Sequence, residues 1–124
     1  MRAMVVCAAE ICPELTADSY PGVVIHQCPL FDEHKTVNAT MWLEAELAAE
    51  FVKRCVNGDV VSHKSIPVLV ACQQGKNRSA LVTAAALHLL TNCSGLQAYE
   101  MLKAASPRTF SNPYFAAAIQ NRWP

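Results

Sequence analysis

Short apolar runs divide the first part of the chain. They cover residues 4–8, 23–28 and 67–72, and each of them is rich in valine. Runs of about four to eight β-branched and apolar residues are typical of buried strands, and the Pro-Gly pair before the second run is a common turn. The pattern therefore predicts three buried strands.

A helical pattern lies between the second and third apolar runs. Over residues 38–56, apolar side chains recur at every fourth position, at Leu43, Leu47, Phe51 and Cys55, and charged residues fall between them. This spacing predicts an amphipathic helix that buries those four side chains.

Three further helices are predicted after the third run. Residues 79–91 are almost all alanine, leucine and valine, which predicts a buried helix, and helices over residues 96–105 and 114–121 follow. Asn112 is the predicted N-cap of the last helix, and bracing of the loop after the third run is its alternative role. Strands joined by helices predict an α/β fold with a mostly parallel central sheet flanked by helices on both faces. We expect residues 1–124 to form a single domain.

Composition narrows the functional classes. The 124 residues are 52% hydrophobic with a formal net charge of zero, so the chain lacks the basic footprint of a nucleic-acid-binding protein. No apolar run approaches the roughly 18 residues of a membrane span, and the N-terminus does not have the pattern of a signal peptide. The six cysteines include no pair with zinc-ligand spacing, so we expect no bound metal. We also expect reduced thiols and a cytoplasmic location.

The segment PVLVACQQGKNRSALV carries the candidate chemistry. It predicts a strand that ends at Cys72, a short loop with Gly75, and a helix that begins near Arg78 and Ser79. The N–H groups of such a loop can surround an anion, and an arginine fork can bind two phosphate oxygens. A cysteine in that positive field ionises more easily, and its thiolate can attack a bound phosphorus. The predicted phosphate-binding residues are Gln73, Gln74, Gly75, Lys76, Asn77 and Arg78.

The run CQQGKNRS resembles the Cys-x-x-Gly-x-x-Arg-Ser signature of the dual-specificity and related protein tyrosine phosphatases. The runs VVCAAEIC and HQCPLFDEH are similar to a "Cys-Ala-Glu" turn and to the general-acid loop of the same superfamily. The order of the remaining elements agrees along nearly the whole chain. The resemblance implies the fold of that family and a phosphatase without a cofactor, which acts on phosphorylated proteins or other phosphomonoesters.

The resemblance also implies roles for single residues. Cys72 would form a phosphocysteine intermediate, and Asp32 would protonate the leaving oxygen and then activate water. Ser79 would stabilise the Cys72 thiolate as it departs. The residues themselves support Asp32 because it follows a predicted strand end, at the sheet edge where Cys72 also lies. Glu33 is the alternative acid.

Cys7 is the candidate partner of Cys72 under oxidation. It matches the resolving thiol of the lipid phosphatases that this sequence resembles, and it lies near a predicted strand end, as Cys72 does. A disulfide between them could trap an oxidised nucleophile. Cys12 and Cys28 are the alternative partners, and a purely packing role for Cys7 stays open.

Three features depart from the family pattern. Ala71 precedes the nucleophile where the family usually has histidine, which suggests reduced activity. Asp32 and Cys72 lie 40 positions apart, more than in compact members, and residues 59–66 fit the excess as a loop. The chain starts close to its first strand, so we expect no N-terminal recognition loop and a shallow pocket.

Other functions stay open at this point. A catalytically weak relative would bind phosphorylated ligands without turnover, and Ala71 favours it. Sulfurtransferases and arsenate reductases can use the same loop but need no acid such as Asp32. Within the phosphatases, Lys76 resembles the extra cation of lipid phosphatases, and Asn77 resembles the asparagine of RNA 5′-triphosphatases.

Overall fold

The computed structural model describes residues 2–7, 22–30, 37–58, 64–72 and 76–124. The elements of this part of the chain, in order, are β1 (Arg2–Val6), β2 (Val23–Gln27), α1 (Ala39–Asn57), β3 (Val68–Ala71), α2 (Arg78–Thr91), α3 (Gly95–Ala105) and α4 (Pro113–Arg122). All seven predicted elements are present, with ends within two residues of the prediction. Among these helices, none is long and apolar enough to cross a membrane.

The three strands form one parallel sheet with the order β2-β1-β3. In the central strand, Val5 lies between His26 of β2 and Val70 of β3. The pairing continues past the strand ends, because the N–H of Cys7 donates to the Ala71 carbonyl at 2.8 Å. The predicted α/β class with a parallel sheet is confirmed, and the carboxyl ends of all three strands lie along one edge.

Alanine-rich faces bring α1 and α2 together above the sheet. The side chains of Ala45, Ala48 and Ala49 in α1 are fully buried, as are those of Ala84 and Ala85 in α2. α1 packs against α2 and also contacts all three strands. Because an alanine side chain ends at Cβ, helices with alanine at their contact can approach closely and still bury apolar surface.

The prediction for the buried face of α1 is wrong in part. Phe51 and Cys55 are buried as predicted, but Leu43 and Leu47 are 57% and 49% exposed, and Trp42 takes a buried position instead. Four residues turn an α-helix by about 40° more than one full turn, so three such steps separate Leu43 from Cys55 by about 120°. A stripe at every fourth position therefore cannot stay on one buried face over this length.

α3 and α4 pack against each other and against α2. A capping box at Ser94 starts α3, and Gly95 follows it directly. A Cβ atom at Gly95 would overlap the carbonyl group of Ile119, so only glycine fits where α3 meets α4. Asn112 caps α4 as predicted, since its Oδ1 accepts a backbone hydrogen bond from that helix at 3.0 Å.

Candidate active site

Cys72 lies at the edge where the three parallel strands end. It directly follows β3, and its half-buried side chain packs against the hydrophobic core. α2 begins at Arg78, so the candidate phosphate loop joins the end of β3 to the start of α2. Ligands of α/β proteins bind at this carboxyl edge of the sheet.

Ser79 lies in the first turn of α2, beside Cys72. Its Oγ is 3.3 Å from Cys72 Sγ, and the serine is only 6% exposed. The S–H of a neutral thiol donates to this oxygen, whereas a thiolate would accept a hydrogen bond from the hydroxyl. The positive end of the helix dipole lies at the same turn. The arrangement can therefore stabilise negative charge on the Cys72 sulfur.

Arg78 is the first residue of α2 and is buried. Its Nη1 donates a hydrogen bond of 3.3 Å to the carbonyl oxygen of Leu30, which is itself fully buried after β2. This contact connects the start of α2 to the segment that leads towards Asp32. A buried guanidinium with several N–H donors provides a fixed positive charge at the edge of the sheet.

Three cysteines lie side by side in the row that follows the strand ends. The pairing of the strands aligns Cys28, Cys7 and Cys72 in this order, and none of them forms a disulfide. Cys7 and Cys28 are fully buried. A hydrogen bond with Cys28 raises the pKa of Cys7 most, and burial and the charges of Cys28 and Cys72 raise it further, while Arg78 acts in the opposite direction. Cys7 is therefore a neutral thiol next to the candidate nucleophile.

A segment before α4 contacts the end of the candidate loop. The N–H of Phe110 donates to the Lys76 carbonyl at 2.7 Å, and the Asn77 side chain is hydrogen-bonded to Ser111 and to the backbone of Asn112. Bracing of this loop was the alternative role considered for Asn112, and the contact with Asn77 agrees with it. No local pattern indicates the partners themselves, because they lie 34 and 35 positions apart.

Several predicted site residues lie outside the described part of the chain. These are Asp32, Gln73, Gln74, Gly75, and the alternatives Glu33 and Cys12. Most of the predicted loop at residues 59–66 lies outside it as well. Among the described residues, no group of three His, Cys, Asp or Glu side chains could hold a metal ion.

Comparison with known proteins identifies the fold. No protein-family model matches the chain, and no curated protein matches it significantly. The crystal structure of human DUSP28 does match: it is 21% identical, its TM-score is 0.73, and the match covers 98% of this chain and 73% of that one. DUSP15 is 18% identical with a TM-score of 0.74, covering 98% and 69% of the two chains. A mutant form of Tk-PTP is 19% identical with a TM-score of 0.70, covering 98% and 77%.

These three structures are dual-specificity or protein tyrosine phosphatase-like proteins. The match extends over nearly all of this chain, although fewer than a quarter of the residues are identical. The chain therefore has the fold of that group, and the fold that the sequence resemblance implied is confirmed.

Proposed function

We propose that the protein is a cysteine phosphatase that hydrolyses phosphomonoesters, in particular phosphorylated protein side chains, through a phosphocysteine at Cys72. The observation that carries this proposal is the 3.3 Å contact between Cys72 Sγ and Ser79 Oγ at the start of α2, with Arg78 buried in the same turn. The fold shared with dual-specificity and tyrosine phosphatases supports it. The reaction needs no cofactor, because side chains supply the nucleophile, the acid and the positive charge that binds the phosphate.

The reaction begins with the phosphate group held by the backbone N–H groups of residues 73–78 and by the Arg78 guanidinium. The Cys72 thiolate attacks phosphorus, and the bond to the ester oxygen breaks as Asp32 transfers a proton to that oxygen. Asp32 then takes a proton from water, which attacks the phosphocysteine and releases inorganic phosphate. Cys72 leaves as a thiolate that accepts a hydrogen bond from Ser79.

The contact between Arg78 and Leu30 supports Asp32 as the acid. Asp32 follows Leu30 by two positions, and two residues of extended chain span at most about 7 Å. Because the Leu30 carbonyl is bound to the Arg78 guanidinium, the chain that continues to Asp32 leaves from a point beside the phosphate-binding arginine, which supports Asp32 as the acid. Glu33 is one position further along, so comparison of Asp32→Asn with Glu33→Gln assigns the acid.

We also propose that residues 1–124 act as one catalytic domain in the cytoplasm. A compartment that keeps thiols reduced suits a catalytic thiolate, and the described cysteines form no disulfide. The substrate class is tested with a panel of phosphotyrosine, phosphoserine and phosphothreonine peptides, a phosphoinositide and an RNA 5′-triphosphate. The proposal expects the highest kcat/KM on the phosphopeptides, and a preference for the lipid or the RNA would reassign the substrate.

Hydrolysis of p-nitrophenyl phosphate tests the mechanism. Cys72→Ser should abolish turnover, and Arg78→Lys should impair it severely because a single ammonium cannot replace the planar fork. Cys93→Ser is the matched control, since Cys93 is also half-buried but follows the other end of α2. The helix has 14 residues, which places its ends about 20 Å apart at roughly 1.5 Å per residue.

Two outcomes would contradict the proposed function. Turnover by Cys72→Ser close to that of the wild type would exclude Cys72 as the nucleophile. A wild-type protein that binds phosphate analogues without turnover would instead be the weak phosphate-binding relative that Ala71 favours.

A further inference from the structure

The end of the phosphate loop is held by the segment Thr109–Asn112 through three hydrogen bonds. The Phe110 N–H donates to the Lys76 carbonyl at 2.7 Å. The Asn112 N–H donates to Asn77 Oδ1 at 2.9 Å, and Asn77 Nδ2 donates to Ser111 Oγ at 3.2 Å. The oxygen and the nitrogen of the Asn77 amide are thus both used by this one segment.

The orientation of Asn77 is unusual for its position. Asn77 occupies the N-cap of α2, where an asparagine side chain normally accepts a hydrogen bond from the first turn of its own helix. Here the side chain makes no such bond, and its oxygen accepts from Asn112 instead. Because the N-cap side chain does not occupy the N–H groups at the start of α2, these groups can bind an anion.

The segment that binds Asn77 has a fixed shape. Phe110 has a left-handed backbone conformation with φ of 57°, which residues other than glycine seldom adopt unless the surrounding structure imposes it. Thr109 ties the segment to α3 through a hydrogen bond of 3.0 Å to the Leu102 carbonyl. Asn112 caps α4. Thr109, Phe110, Asn112 and Asn77 are all at least 95% buried.

We propose that Asn77 is a positioning residue for the catalytic site. Its amide clamps the end of the phosphate loop to Thr109–Asn112, and this contact holds the first turn of α2 and Arg78 in the geometry that binds a phosphate group. The inference rests on the proposed phosphatase function. A packing role alone would affect stability only, whereas a positioning role also affects turnover and the ionisation of Cys72.

The test compares Asn77→Ala, Ser111→Ala and the double variant with Ser94→Ala. Ser94→Ala removes a side-chain hydrogen bond at the start of α3 and is the control for a loss of stability alone. For each variant we would measure kcat and KM with p-nitrophenyl phosphate, the melting temperature, and the pH profile of Cys72 alkylation by iodoacetamide. Mass spectrometry follows the Cys72 peptide.

Asn77→Ala should lower kcat by roughly 10- to 100-fold, the scale of a misplaced catalytic geometry, with a smaller change in KM. Its alkylation midpoint should move towards that of an ordinary thiol, near pH 8.5, because the Cys72 thiolate loses fixed donors. Arg78, Lys76, Cys7 and Cys28, the other described charged and titratable groups near Cys72, are unchanged in all four variants. Ser111→Ala should show smaller effects, and the double variant should resemble Asn77→Ala because both changes remove the same bond.

The proposal is overturned if Asn77→Ala melts earlier, as Ser94→Ala does, but keeps the wild-type kcat and alkylation midpoint. If Asn77→Ala does not fold, Ser111→Ala decides the question, and wild-type values for that variant also overturn it. A wild-type protein without turnover would contradict the proposed function. The alkylation profiles would still test whether the contact of Asn77 with Thr109–Asn112 positions the loop.

Discussion

The removal of the Ser79 hydroxyl tests the contact on which the proposed mechanism depends. In Ser79→Ala, the Cys72 sulfur loses a partner 3.3 Å away in a buried site. A hydrogen bond to a charged group contributes about 1.5–3 kcal/mol. We therefore expect the step in which Cys72 departs as a thiolate, the hydrolysis of the phosphocysteine, to slow by roughly 10- to 150-fold.

Stopped-flow measurement with p-nitrophenyl phosphate separates the two chemical steps. In Ser79→Ala, a burst of p-nitrophenol equal to the enzyme concentration should precede slow steady-state turnover, because the phosphocysteine accumulates. Thr91→Ala is the control, since it deletes another α2 hydroxyl, which bonds the Leu87 carbonyl near the far end of the helix. If Ser79→Ala turned over at the wild-type rate without a burst, the hydroxyl would have no part in stabilising the departing thiolate.

Further predictions concern the acid, the thiols and the packing of α3. Asp32→Asn should lower kcat by roughly 10²–10⁴-fold, and by less for substrates with good leaving groups, as a pH–rate series on several aryl phosphates would show. Mild peroxide should link Cys7 to Cys72 in a disulfide, since neighbouring strands lie about 4.8 Å apart. Mass spectra of unreduced peptides would refute this if they showed sulfinic or sulfonic acid on Cys72 and an unmodified Cys7. The raised pKa of Cys7 keeps the folded thiol protonated while the unfolded thiol ionises. The free energy of unfolding should therefore fall by up to about 1.4 kcal/mol per unit above pH 8.5, and Cys7→Ala should flatten that fall in urea titrations. Gly95→Ala should lower the free energy of unfolding by about 1–3 kcal/mol or more in the same titrations, because its Cβ would overlap the Ile119 carbonyl. Wild-type stability of this variant would contradict the packing described for α3 and α4.

The sequence by itself determined the elements and the central part of the candidate site. Strands and helices follow from local periodicity, which is why all seven elements were predicted within two residues at each end. The unit from Cys72 to Ser79 is also local, because eight consecutive residues join the end of β3 to the start of α2. The resemblance of this run to the phosphatase signature implied that Ser79 acts on Cys72, and their side chains are in contact at 3.3 Å.

Contacts between residues that are distant in the sequence were decided only by the tertiary structure. Trp42 and Trp123 belonged to no aromatic pattern in the sequence, yet their rings form a T-shaped pair with centroids 5.5 Å apart. The contact of Arg78 with Leu30 likewise depends on how α2 packs against the segment after β2. No local periodicity encodes such contacts, because they arise when whole elements pack against one another.

The role of Asn77 shows the difference most directly. From the sequence, Asn77 was one of several residues of a predicted phosphate loop, and Asn112 was the N-cap of a later helix with a brace for that loop as its alternative role. The fold brings them together, so that the Asn77 oxygen accepts from the Asn112 N–H and the start of α2 is left without a side-chain cap. A buried amide must satisfy its hydrogen bonds with whichever partners the fold brings near, and the packing of α4 beside the loop determined those partners.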